Sequence, residues 1–186
     1  MCLRRRVLIA DIRRSVRRTA DMAVNRGKQF EDVVRKAFEK VPGVSIDRLH
    51  DQTTGFKGSQ NICDFIVYRK PYEYYIECKS VKGNILPFRN ITETQWDELL
   101  KKVEIEGVIA GIICWWTQRD TTLFIPIQIL EAEKLNGKKS IRFDYENQFL
   151  GYYPSGKLEI KTIKILGKKK RVFFDYWMEE FFTHFK

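Results

Sequence analysis

At 186 residues, with 44% hydrophobic and 13% aromatic residues, the chain is long and apolar enough to bury a core as one domain, which excludes a disordered tail. Its 34 Lys and Arg against 24 Asp and Glu give a net charge of +10. That balance favours a polyanionic partner, nucleic acid first and an anionic membrane surface second, although a merely basic soluble protein carries the same charge.

No apolar run approaches the ~20 residues of a membrane span. Two histidines and four cysteines without a CxxC pair argue against a zinc site. Cys63, Cys78 and Cys114 sit in apolar, strand-like runs and read as reduced core residues of an intracellular, cytoplasmic protein. Residues 1–21, MCLRRRVLIADIRRSVRRTAD, hold seven arginines and two aspartates. Their apolar piece VLIA is too short for a signal peptide, and Asp11 and Asp21 count against a transit peptide. The segment reads as a basic extension preceding a single domain over residues 22–186; a DNA-holding arm is the other reading.

In NRGKQFEDVVRKAFEKV, Phe30, Val33, Val34, Ala37, Phe38 and Val41 recur at helical spacing, with Asn25 as cap and Pro42-Gly43 as stop. Glu31 lies at the margin of this apolar stripe. A strand-like start at Val44 gives way to a polar loop that carries His50, Asp51 and Lys57.

The stretch ICDFIVYRKPYEYYIECKS follows, with β-rich runs over Ile62–Tyr68 and Glu73–Lys79 flanking a four-residue hairpin loop, RKPY. Pairing Tyr68 with Glu73 sets Asp64 opposite Glu77, with Lys79 on the same sheet face. Two carboxylates and an ammonium then converge, and opposed carboxylates repel unless a cation lies between them. Their oxygens suit a hard divalent ion: Mg²⁺, which takes one or two carboxylates plus phosphate oxygens, or Mn²⁺. The chemistry implied is metal-assisted phosphodiester hydrolysis, Lys79 orienting the attacking water or steadying the phosphate. An ordinary salt-bridge cluster on a half-exposed hairpin would use the same residues.

Thr92 and Gln95 fit a capping box, and Ile91 with Trp96 a hydrophobic staple, at the start of a second helix. VIAGIICWW and TLFIPIQI read as strands, the first central because it is continuously apolar. AEKLNGKKSIRFDYE reads as a short helix and a basic loop. KLEIKTIKIL with VFFDYW reads as a terminal hairpin, and MEEFFTHF as a short amphipathic helix. The order gives a mixed α/β fold with one sheet.

Asp64…Glu77-Cys78-Lys79 resembles the D…ExK core of the PD-(D/E)XK nuclease superfamily. Asn25-Arg26-Gly27 through Glu31 resembles the NRG…E opening helix of RecU-type Holliday junction resolvases. Lys82-Gly83-Asn84, Leu86-Pro87-Phe88, Gln95 and the stretch from Gly137 to Arg142 resemble that family's downstream half, so the likeness covers about residues 24 to 145. It departs at Cys63, where the superfamily has proline, and in the shortness of Asp47–Asn61, where the family carries a protruding stalk.

The resemblance implies a restriction-endonuclease-like core, one mixed central sheet flanked by helices. It implies Asp64, Glu77 and Glu31 as metal-site carboxylates, Lys79 as the catalytic lysine and Gln95 near the site. It also implies a homodimer acting on four-way DNA junctions. Arg26, Lys28, Lys57, Lys138, Lys139 and Arg142 are the candidate DNA-facing residues, and Lys168-Lys169-Lys170-Arg171 reads either as a second basic run along DNA or as a solvated hairpin turn. A nuclease for duplex or flapped DNA in repair or restriction, and a non-catalytic junction-binding protein, are the alternatives.

Overall fold

The computed structural model describes residues 26–49, 61–153, 156 and 158–185. The extension over residues 1–21, Asn25 as a cap, and the loop residues His50, Asp51 and Lys57 lie outside the described residues.

Helix α1 occupies residues 26–39 and buries Phe30, Val34, Ala37 and Phe38, the stripe its spacing predicts. Gly43, at φ +73°, turns the chain out of it. Strands β1 (Ser45–Arg48), β2 (Phe65–Arg69) and β3 (Tyr72–Val81) follow. After β4 (Ile85–Pro87) come α2 (Glu93–Lys102), β5 (Val108–Trp116), β6 (Thr121–Pro126) and α3 (Ile127–Leu135). The last part holds β7 (Ser140–Arg142), β8 (Phe149–Tyr152), β9 (Glu159–Lys161), β10 (Ile163–Lys164), β11 (Gly167–Lys169), β12 (Phe174–Tyr176) and α4 (Met178–Thr183).

Six strands form one sheet in the order β1-β2-β3-β5-β6-β10. β3 and β5 are parallel and every other neighbouring pair is antiparallel, so the sheet is mixed. β5 is buried along its whole length, as its unbroken apolar run predicts. Its Gly111 is dictated by packing, because a Cβ there would stand 2.4 Å from the Ile125 carbonyl oxygen. This is the α/β class expected, helices flanking one mixed central sheet.

The two faces of β3 decide where the chemistry lies. Tyr74 packs on Phe182 of α4 with ring centroids 5.2 Å apart, and Phe38 of α1 meets Phe181 at 5.8 Å. Tyr75, one residue on, carries the Lys102 ammonium of α2 over its ring at 4.7 Å. Side chains alternate along a strand, so Tyr74, Ile76 and Cys78 face α1 and α4, while Tyr75, Glu77 and Lys79 face α2.

Several sequence-based boundaries are corrected. The β2–β3 ladder pairs Tyr68 with Glu73 as expected but continues to Arg69 with Tyr72, so the loop is Lys70-Pro71 rather than four residues. The strand expected over TLFIPIQI stops at Pro126, which has no N–H for the ladder and begins α3 instead. The basic loop expected after that helix contains β7, which pairs with β4. KLEIKTIKIL does not pair with VFFDYW. Its halves go to different partners, β9 to β8 and β10 to β6, and the terminal hairpin is the shorter β11–β12. The buried Thr162 makes the break between β9 and β10: its N–H donates to the Gln148 carbonyl at 3.0 Å and its Oγ1 accepts from the Gln148 N–H at 2.9 Å.

Candidate active site

Asp64 stands one residue before β2, where the ladder stops, and its main chain is held from both sides. Its N–H donates to the Ile76 carbonyl at 3.1 Å and its carbonyl accepts from Leu49 N–H at 3.0 Å. Its side-chain Oδ2 accepts from the Cys78 N–H at 2.7 Å, doing the work of the missing strand carbonyl. The aspartate is therefore bonded to the residues on either side of Glu77. The convergence read from the pairing register is present, reached by a side-chain bond instead of one more ladder rung.

Glu77 is only 3% exposed in the middle of β3. Its Oε1 accepts from Lys79 Nζ at 2.5 Å, while its Oε2 is buried with no hydrogen-bond partner. Burial pushes the Glu77 carboxyl up, with Lys79 opposing. Burial, then the Glu77 and Glu31 charges, push Asp64 up to about 8 against the Cys78 hydrogen bond, and the two carboxyls titrate as a pair. An orphaned buried carboxylate oxygen beside a second carboxylate that resists ionising is an arrangement that a cation could neutralise.

Glu31 of α1 reaches the same end of the sheet and its charge acts on both carboxyls. Its own carboxylate is turned to Arg48 of β1, Nη2 to Oε2 at 3.1 Å. Arg48 is a site neighbour that sequence reasoning missed, because nothing in strand spacing pairs it with a helix residue 17 positions away. Among the described residues no group of three or more His, Cys, Asp or Glu is gathered to hold a metal ion. Asp64 and Glu77 are the two carboxylates that fit one, and Mg²⁺ commonly takes one or two with the rest from phosphate and water.

Gln95 has two roles at once. Its N–H donates to Thr92 Oγ1 at 3.2 Å and its Oε1 accepts from the Thr92 N–H at 3.1 Å, closing the expected capping box. With its carbonyl spent on Thr92, the amide nitrogen is what Gln95 has left to offer Glu77, and it favours that residue's charged form. Helix α2 is held in place behind it, since Trp96 Nε1 donates to Glu131 Oε2 at 2.5 Å and the Lys134 ammonium lies 4.3 Å from the indole. Gln95→Glu keeps a capping-box acceptor but removes the amide donor and adds a carboxylate to Asp64, Glu77 and Glu31. It is expected to leave the melting temperature nearly unchanged at pH 4 and lower it at pH 8. Gln95→Ala is expected to cost about 1 kcal/mol at both, as for a lost cap. Thermal melts at the two pH values separate the roles.

The expected DNA-facing residues are spread out. Arg26 and Lys28 are exposed at the start of α1, and Lys139 and Arg142 are exposed around β7. Arg142 is 3.2 Å from Asp144, and Lys138 is bound to Glu133 and Tyr145. Cys63, Cys78 and Cys114 are buried and unpaired, and burial raises all three thiols, Cys63 to about 12, so they are inert.

No protein-family model matches the chain, and no curated protein matches it. Among solved structures it is similar to Hjc, a Holliday junction resolvase of the archaeal hyperthermophile Archaeoglobus fulgidus, at 21% identity and a TM-score of 0.41, over 55% of this chain and 78% of that one. At that distance the likeness does not carry function from one chain to the other.

Proposed function

We propose that the chain is a divalent-metal-dependent, structure-selective DNA endonuclease of the RecU type, which hydrolyses phosphodiesters at four-way junctions. The observation that supports it is the buried Asp64–Glu77 pair with its orphaned Oε2 and adjacent Lys79, in a chain of net charge +10. Asp64 and Glu77 would hold Mg²⁺ or Mn²⁺, which supplies charge neutralisation and water activation at the phosphate. Lys79 Nζ, held at Glu77 Oε1, would orient the attacking water or bind a non-bridging oxygen. Gln95, against the larger effect of burial, favours the charged form of Glu77, and Arg48 pairs with Glu31. Arg26, Lys28, Lys139 and Arg142 carry charge for the phosphate backbone. Symmetric cutting of two strands calls for two protomers. No described helix is long and apolar enough to cross a membrane, and the proposed substrate puts the site of action wherever the cell's DNA is.

The test is incubation with Mg²⁺, a labelled four-way junction and a matched linear duplex, resolved on a denaturing gel beside Asp64→Asn and Glu77→Gln. Paired nicks confined to the junction, lost in both variants with binding retained, are expected. Equal cutting of the linear duplex removes junction selectivity and keeps the nuclease. Tight junction binding without cutting in either Mg²⁺ or Mn²⁺ overturns the enzyme and leaves a binding protein.

A further inference from the structure

The β11–β12 hairpin stands outside the central sheet and pairs only with itself. Its first strand and turn carry Lys168, Lys169, Lys170 and Arg171, all exposed, with Lys168 across the ladder from Asp175. Runs of charge are usually solvated turns, and a solvated turn has no reason to be fastened. This one is fastened to the body through Phe173 and Tyr176. Phe173 packs on Trp115 with centroids 5.3 Å apart, Phe174 stacks on Tyr176 at 5.7 Å, and Tyr176 meets Phe30 at 6.3 Å. The Tyr176 hydroxyl shares a buried 2.8 Å hydrogen bond with Thr122. At the base the two strands close so tightly that a Cβ on Gly167 would stand 2.6 Å from the Asp175 carbonyl oxygen.

Those anchors also say where the hairpin lies. Phe30 precedes Glu31, and Trp115 is the β5 partner of Ser80, the residue after Lys79. The hairpin thus sits over the α1 face of the sheet, opposite the face that carries Glu77 and Lys79 but at the same end of β3 and β5. Its charge is only partly neutralised. Lys169 pairs with Asp120, and Lys170 shares Asp175 with Lys40, at 3.8 and 2.6 Å. Lys168 and Arg171 have no ion pair among the described residues. A rigid, aromatic-backed ribbon with unneutralised lysine and arginine on its first strand and turn matches the spaced phosphates of a nucleic-acid backbone, and nothing in it reads bases.

We infer that the β11–β12 hairpin is a phosphate-binding arm that holds duplex DNA beside the active-site end of the sheet, through Lys168 and Arg171. This rests on the nuclease reading for its ligand, but it assigns a surface that the active-site residues do not include. A pre-fastened arm adds affinity because little ordering is left to do on binding.

The experiment is fluorescence anisotropy of a labelled linear duplex across a salt series, with the full chain carrying Asp64→Asn so that nothing is cut. Lys168→Gln with Arg171→Gln is compared with a charge-matched control, Lys70→Gln with Lys101→Gln, at the opposite end of the sheet. Each lost phosphate contact takes about 0.9 from the slope of log K against log salt, so the hairpin pair is expected to flatten it by roughly 2, and the control by far less. Equal slopes for the two pairs overturn the arm while leaving the nuclease reading standing. No salt-dependent duplex binding by the parent protein overturns both. Binding to vesicles of phosphatidylserine and phosphatidylcholine that outcompetes the duplex and is lost in the hairpin pair overturns DNA as the ligand in favour of an anionic membrane.

Discussion

Asp64→Asn is expected to reduce cleavage by a factor on the order of 10²–10³ and, in the same protein, to raise the melting temperature at pH 8. The two effects share one cause. The Asp64 carboxyl is pushed up to about 8 in the folded chain by burial and by Glu77 and Glu31, against about 3.9 in an unfolded one. Between those values the folded state binds a proton that the unfolded state has released, so stability falls as pH rises from about 4 towards 8. Asparagine has no such charge, yet its side-chain oxygen still accepts the Cys78 N–H. The variant should therefore melt with the wild type near pH 4 and above it at pH 8. On the proposed metal-site reading Mg²⁺ would bind only the folded site, and should raise the wild-type melting temperature at pH 8 with little effect on the variant. Melts at both pH values, with and without Mg²⁺, check this. A variant that melts lower at pH 8 would mean that the carboxylate is an anchor for Cys78, and the metal-site reading would fall.

The parts of the site legible in the sequence were those set by short-range periodicity. Alternation along β2 and β3 determined which residues face α2, so Glu77 and Lys79 were readable from the pairing of Tyr68 with Glu73. The stripe of α1 was readable for the same reason, and it located Glu31 at the margin without saying what the margin meets. Arg48 was not readable, because its bond to Glu31 depends on how an edge strand and a helix are placed in three dimensions. Gln95 was read as either cap or site residue, when a carboxamide has two ends and uses one for each. The tail failed differently. Strands of two and three residues carry too little pattern to choose a partner, and a buried Thr162 sends β9 and β10 to different ladders.

Removing the lysine should do the opposite of removing the aspartate. Lys79→Met leaves Glu77, 3% exposed, without the cation 2.5 Å from its Oε1. Breaking a buried pair from one side is the costly direction, and about 3 kcal/mol is expected at pH 8, the low end because Lys79 keeps 22% of its side chain exposed. Burial already raises the Glu77 carboxyl and Lys79 holds it down. Without Lys79 it rises further, so the deficit is present at high pH and disappears as Glu77 takes up a proton. Glu77→Gln added to Lys79→Met removes the stranded charge and should restore most of the lost stability without restoring cleavage. Urea melts of the two singles and the double give the coupling directly. A double variant no more stable than Lys79→Met alone would show that the pair carries no energetic coupling. Cleavage retained in Lys79→Met would leave the lysine as a counterion and nothing more. The wild-type arrangement is intelligible if both costs are tolerated for function: an acid that resists ionising and a buried glutamate with one lysine for a partner form a site that added positive charge would stabilise, as the proposed nuclease requires.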